Sequence, residues 1–507
     1  MTRVIFSTLF GLFLAGSAFA AEIEVNSTDL RDIGGGMTAA VGIGPRLVQS
    51  NLPVVDEGWD FDGARVLADL TRRGVANGFA GVLYDNRDRA HSLLDARRFP
   101  ALNSVRYGFE LTADNLDIGA AARILFPAVV IGNSSTAVTH GAEARSLARL
   151  AMSTAQGVAA SVRHYRANHL YVYPEHRDHD DYDLFSINWP YTVQSQGSSF
   201  SDRPFYEALL ATVAGFRPDT FDRLRQEGLI APTLQMILRR NLAIVPDRDA
   251  YFTGVAHSVA IDGAHIRGGR MVGHANAIRP DDIPPLVTLS VEEETFERQA
   301  GLLSQGELLF NTPSAVARIW RSWDYEKSVI LSAADTQDPN GRPLSFTWSL
   351  LQGDPNLVDI EPLDEAGTRA RVTLRWHEPY SANGADRLTA RVDVGAFASN
   401  GVHDSAPAFF TVSFPAHEKR VYDNAARELV SIDYSGAEGR LNFMDPRLHW
   451  IADWSDEAIR DDSGVLTGWI RRHGDGREER VAILPDQNAA SVEPDGLHFR
   501  LRLRAGE

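Results

Sequence analysis

The chain has 507 residues, of which 44% are hydrophobic and 23% charged, with a net charge of −17 and no cysteine. That length exceeds one ordinary core and predicts two to four domains. The acidic balance without a basic run argues against nucleic acid, whose phosphates need clustered Lys and Arg. The missing cysteine excludes disulfides, thiolate metal sites and a cysteine nucleophile.

Residues 1–20 read as a secretory signal. Arg3 supplies the positive start, Val4 to Ala15 the apolar run, and Ala18-Phe19-Ala20 the small residues before cleavage. The apolar run is short for a membrane span, and no later stretch approaches that length. The expectation is an exported protein, periplasmic or extracellular, with no transmembrane segment in the mature chain. It would meet a polymer or small ligand there.

Residues 21–60 are Gly-rich and read as loops and short strands. A helix is predicted from Asp62 to a C-cap at Gly74, then a strand over 79–84. Further strands are predicted at 126–131, 169–173 and 191–194. The segment 142–166 carries Leu147, Leu150, Ala151, Ala155, Val162 and Tyr165 at helical steps. Helices follow at 202–216, with Phe205, Leu209, Val213 and Phe216 on one side, and at 218–227 and 231–240. Strands alternating with helices predict an α/β domain with a mostly parallel sheet over 21–283. Ligands of such sheets bind beyond the carboxyl ends of the strands.

Four polar junctions follow predicted strands, and that edge would gather them. The richest is Tyr171-Val-Tyr-Pro-Glu-His-Arg-Asp-His-Asp-Asp181. Here His176, Asp178 and His179 suit one divalent ion, while Glu175 and His176 suit a metal-free acid/base pair. The competing reading is a solvated loop in which Arg177 pairs an acid. At the second junction, Asp85 and His91 suit an acid and base, or a helix start capped by Asp88. At the third, Asn133 and Ser134 suit substrate or oxyanion contacts, or a plain polar turn. At the fourth, Gln196, Ser198 and Ser199 precede a helix whose free N–H groups suit an anion, or merely lead to an N-cap at Ser201 or Asp202. The order Asp85, His140, Ser199 resembles that of subtilisin-like proteases. Only 59 residues separate His140 from Ser199, too few for the elements that family inserts there, and the resemblance is set aside.

Pro280, Pro284 and Pro285 mark a boundary, after which β-type sequence runs to the end. Val329 to Trp348 contains Asp338-Pro339-Asn340-Gly341 and the strand Phe346-Thr347-Trp348. It resembles the signature of PKD-type immunoglobulin-like domains over about 310–415. The resemblance implies an Ig-like β-sandwich over 284–415, with Trp348 in its core, that serves as a spacer or binding module. Residues 388–394 and 408–414 alternate as sandwich strands do. Asp335, Asp338 and Asn340 suit calcium, or simply a turn. Residues 416–507 read as a small β domain of hairpins without chemical groups of note.

The sequence therefore points to a multidomain exported hydrolase acting on a glycan- or peptide-type polymer. The alternative is a non-catalytic secreted or periplasmic ligand-binding or surface protein.

Overall fold

Six short segments pair in parallel to form the sheet that orders the first half of the chain. They are β1 (Ala21–Val25), β2 (Val82–Arg87), β3 (Asn103–Tyr107), β4 (Val129–Ser134), β5 (His169–Pro174) and β6 (Val193–Ser195). Their order is β1-β3-β2-β4-β5-β6, and every pair is parallel. The computed structural model describes residues 21–45, 52–89, 92–119, 122–134, 154–175, 187–301, 305–381, 387–435, 443–444, 453–483, 490–493 and 499–500.

The chain leaves β2 for β3 on one side, crosses to β4 on the other and continues outward to β5 and β6. The direction reverses between β2 and β4, so the topological switch point lies there. Strands β2, β4 and β5 are buried on both faces, which explains their near-continuous apolar runs.

One face carries α1 (Asp62–Arg72), α3 (Arg203–Gly215) and α7 (Gly268–Ala277), which pack on one another. The other carries α2 (Ala155–Arg166) against β5. Between α3 and α7 lie α4 (Pro218–Glu227), α5 (Ile230–Arg240) and α6 (Arg248–Tyr251). The helix expected over 142–166 is seen from Ala155, and its earlier part lies outside the described residues. Helix α3 does not have the one apolar side its spacing suggested. All of 205–215 is buried, because α1 and α7 cover the side turned away from the sheet. Ala21–Val25 is one of the short strands read in the lead-in, whereas Asn103–Tyr107, rich in polar residues, escaped the sequence pattern; both extend the sheet at its outer side.

The second half is β structure. Ser290–Glu294, Glu326–Ser332, Arg369–Arg375 and Val358–Pro362 form an antiparallel sheet of four strands. Leu308–Thr312, Ala315–Ile319, Ala408–Ser413, Arg391–Ser399 and Ser345–Gln352 form one of five, in which Ala315–Ile319 runs parallel to Ala408–Ser413. The two sheets share a core that includes Val329, Val372, Val394 and Phe410. The five-stranded sheet also packs its outer face on the α/β region. Phe397 and Phe409 belong to that larger core, and the Phe397 ring lies 5.0 Å from His257 and 5.6 Å from Tyr251. Arg391–Ser399 and Ala408–Ser413 thus alternate between two cores rather than between core and water, and nearly every position in them is buried.

Trp348 departs from its expected place. It sits half-buried on the edge strand and donates from its indole to the Gly367 carbonyl at 2.7 Å. The Asp338 turn is fully engaged. Its carboxylate accepts from Asn340 N and Arg342 N, both at 2.9 Å, and from Asn400 Nδ2 at 2.8 Å. From Lys419 onward seven strands pair with their sequence neighbours as an antiparallel meander, with a small core that includes Ile432 and Trp469.

Candidate functional site

Because the six strands are parallel, their carboxyl ends share one edge, and the ends of β2 and β4 flank the switch point. Asp85 stands opposite Gly132, which stands opposite Tyr171, while Asn86 stands opposite Asn133. Neighbouring side chains alternate between the sheet faces. The edge therefore carries two polar networks, one on each face.

On the α2 face, Asp85 is fully buried (0% exposed). Its Oδ2 accepts from Arg87 Nε at 2.8 Å and Tyr171 Oη at 2.7 Å, and its Oδ1 accepts from Tyr107 Oη at 2.8 Å. Arg87 also donates to the carbonyls of Ala122 and Ile124 and lies 4.1 Å above the Tyr171 ring. Gly132 makes this possible. A Cβ there would come within 2.2 Å of the Asp85 carbonyl and 2.6 Å of the Tyr171 ring. Burial first, and Arg87 second, hold the His169 pKa down to about 3. Burial and Arg87 likewise hold His164 well below its ordinary value. Both imidazoles beneath the ion pair are therefore neutral at physiological pH.

On the α3 face, Asn133 Oδ1 accepts from Tyr84 Oη at 2.6 Å, and its Nδ2 donates to Asp202 Oδ2 at 3.0 Å and to the Ser92 carbonyl at 3.2 Å. Asp202 Oδ1 accepts from Ser92 Oγ at 2.7 Å, and Ser92 Oγ accepts from Phe200 N at 2.9 Å. Tyr206 Oη donates to the Ser92 carbonyl at 2.9 Å. Asp202 occupies the N-cap position of α3, yet its side chain caps nothing there; it reaches back to Ser92 and Asn133 instead. Burial raises its pKa against the pull of those two hydrogen bonds.

Glu175 follows β5 directly. Its N–H donates to the Ser195 carbonyl at 2.8 Å, and the residue is 3% exposed. Ser195 Oγ and Ser201 Oγ share a hydrogen bond of 2.8 Å, which ties this end of the sheet to the start of α3. Ser134 Oγ donates to the Arg87 carbonyl at 3.3 Å. Gln196, Ser198 and Ser199 are exposed on the turn before α3, and Gln196 N donates to the Ile261 carbonyl at 2.8 Å. Among the described residues no helix starts at Asp88; its N–H donates to Asn86 Oδ1 at 2.6 Å.

The fold thus brings Asp85, Asn133, Ser134 and Glu175 to one edge and leaves Gln196, Ser198 and Ser199 in solvent. His91, His176, Arg177, Asp178 and His179 lie outside the described residues. Among the described residues no group of three His, Asp or Glu side chains is arranged to hold a metal. Sequence reasoning missed Ser92, Asp202, Tyr107 and Tyr206. The pairing of Ser92 with Asp202 spans 110 residues, beyond the reach of any local pattern. Tyr171 reads from sequence as a strand residue, and only its register opposite Gly132 makes it the partner of Asp85.

No family model and no curated protein matches the chain. Among the solved structures that align with the chain, two illustrate how weak the likeness is. One is a nucleoside hydrolase-related hypothetical protein from Saccharophagus degradans, described as associated with carbohydrate metabolism. The alignment has 9% identity, covers 58% of this chain and 93% of that one, and has a TM-score of 0.20. The other is the N-terminal Ig1-2 module of the Drosophila receptor protein tyrosine phosphatase DLAR, at 11% identity, 41% and 95% coverage, and a TM-score of 0.13. Scores this low establish neither a shared fold nor a shared activity.

Proposed function

We propose that this chain is an exported hydrolase of a glycan- or peptide-type polymer, with its reaction centre beyond the carboxyl ends of β2, β4, β5 and β6. The observation that carries the reading is the pair of buried carboxyl groups on one sheet edge beside the switch point, Glu175 after β5 and Asp202 before α3. Glu175 acts as the base. Asp202, its pKa raised by burial, stands on the same edge and holds Ser92 and Asn133 beside the centre. Asn133, Ser134, Gln196, Ser198, Ser199 and Arg177 orient the substrate. His91 and His176 carry protons; in the metal-assisted form, His176, Asp178 and His179 hold one divalent ion that activates water. Asp85 braces the strand end, since Arg87, Tyr107 and Tyr171 already occupy its oxygens.

The two sheets around a common core support a PKD-type, Ig-like module that holds the catalytic region near its polymer. Among the described residues no helix is long and apolar enough to cross a membrane.

A second reading, a ligand-binding protein without catalysis, is favoured by the internal partners that already occupy Asp85 and Asn133. Glu175→Gln decides between them. The hydrolase reading expects turnover of polymeric glycan or peptide to fall by about a hundredfold or more with an unchanged melting temperature. Ligand-dependent gain in melting temperature without product would support the binding protein. Unfolding of the variant would mean that Glu175 is structural and the reaction centre wrongly assigned. Metal content of the purified chain, and its loss on changing His176 and His179 together, tests the metal-assisted form.

A further inference from the structure

Where the α/β region meets the five-stranded sheet, a cavity of about 520 Å³ opens between α5, α6, α7 and the loop that joins Arg391–Ser399 to Ala408–Ser413. Its walls are fixed. Asn400 anchors the loop, donating to the Ile283 carbonyl at 3.1 Å and to Asp338 at 2.8 Å while accepting from His403 N at 2.9 Å. Arg248 and Asp404 close one side through two bonds of 2.8 and 2.9 Å, and Tyr251 Oη donates to the Ser405 carbonyl at 2.7 Å.

The donors that face this space are less well supplied. Arg240, half-buried at the end of α5, forms no hydrogen bond or ion pair among the described residues, although it lines the cavity. His274 lines it as well, and its tautomer follows from its neighbour. Asn241 Nδ2 donates to the Ile237 carbonyl at 2.7 Å, which fixes the orientation of the amide, and to His274 Nδ1 at 2.9 Å. An imidazole that accepts at Nδ1 carries its proton at Nε2, and this N–H has no acceptor among the described residues. Burial, then the neighbouring His403, Arg240 and Arg270, hold the His274 pKa down to about 4, so the ring stays neutral. The nearby carboxylates are taken. Asp404 binds Arg248, and Asp282 accepts from Arg279 N at 2.7 Å and faces His403 Nε2 at 3.4 Å.

The cavity therefore has N–H donors and a positive charge to spare, on a chain whose net charge is −17. Met236 and Val402 add apolar wall. We propose that this seam is a binding site for a small organic ligand bearing one oxyanion, held by the Arg240 guanidinium and the His274 Nε2–H. Such a fork suits the oxygens of a carboxylate or a phosphoryl group, and the volume suits a ligand of about monosaccharide to disaccharide size. Neither residue belongs to the strand-end centre, so the two sites stand or fall separately.

The test is calorimetric titration of the full chain at constant ionic strength with sodium glucuronate, inorganic phosphate and neutral glucose. The expected result is saturable binding of at least one anion, with glucose weaker by about tenfold or more. Arg240→Gln should weaken the anion by about tenfold or more. Val402→Trp, placed on the 53%-exposed loop side where folding is not at risk, should block it by filling the cavity. Binding of glucuronate alone assigns a carboxylate ligand, and of phosphate alone a phosphoryl ligand. Absence of saturable heat from both anions, or binding unchanged in both variants, would overturn the proposal.

Discussion

The carboxyl edge of the sheet and the seam cavity both gather charged and hydrogen-bonding side chains, but their hydrogens go to different places. At the edge, Arg87, Tyr107 and Tyr171 all turn on Asp85, Tyr84 on Asn133, and Asn133 in turn on Asp202. In the cavity, Arg240 and the His274 Nε2–H face space. Buried polar groups that are partnered hold a structure together, whereas donors left open on a wall that is otherwise fixed are groups awaiting a ligand. On the proposed reading, chemistry at the edge therefore rests on Glu175, because Asp85 and Asp202 are both fully buried with both oxygens taken. The comparison also predicts that the two regions respond oppositely to substitution.

The largest effect is expected at Asp85. Asp85→Ala leaves the Arg87 guanidinium buried without its counter-charge and two tyrosine hydroxyls without an acceptor. The fold should lose about 3–5 kcal/mol, read as a shift in the urea midpoint. A loss below about 1 kcal/mol would mean that water reaches the pair, and the contrast between the two regions would break at its strongest point.

A smaller, pH-dependent effect belongs to Glu207 on α3, ion-paired with Arg98. Burial raises its pKa from the ordinary 4.5 to about 7 against the pull of Arg98. Between those values the folded chain holds a proton that the unfolded chain releases, so this group's contribution to stability falls as pH rises from about 4.5 to about 7 and is constant above. Glu207→Gln should abolish that slope. It should equal the parent near pH 4 and exceed it by at most about 3 kcal/mol near pH 8. Melting curves across that range check it, and a parallel slope in the variant would assign the titration to another group.

The parts of this arrangement that were legible in the sequence are those set by local pattern. Residues 169–173 read as a strand because they are apolar and aromatic without a break. Residues 218–227 read as a helix because Pro218 opens it and Gly228, at φ +70°, ends it. Parallel pairing then followed from alternation of strands and helices, and with it the gathering of Asp85, Asn133, Ser134 and Glu175. What sequence could not give was the partner of each group. Asp202 looked like a cap because it precedes a helix with Pro204 in its first turn; only the fold brings Ser92 and Asn133 within reach. Strand Asn103–Tyr107 was invisible because it is mostly polar, with Arg106 paired to Glu24 at the surface and Tyr107 bonded to Asp85. The seam cavity joins residues 240 and 274 to a loop near 402, and no spacing along the chain announces such a meeting.

The smallest effect sharpens the comparison most. Arg240 has no partner to lose, so Arg240→Gln should leave stability within about 0.5 kcal/mol of the parent. His274 beside Arg240 is neutral, its pKa held down to about 4, so no ion pair or repulsion changes with the substitution. The measurement is the urea midpoint in a buffer free of phosphate and carboxylates, since a bound anion would add its own stabilisation to the parent alone. A near-zero difference in that buffer, widening as phosphate or glucuronate is added, separates a residue kept for a ligand from one kept for the fold. A loss comparable to that of Asp85→Ala would instead mean that Arg240 supports the junction between α5 and the β structure, and the two regions would then be alike.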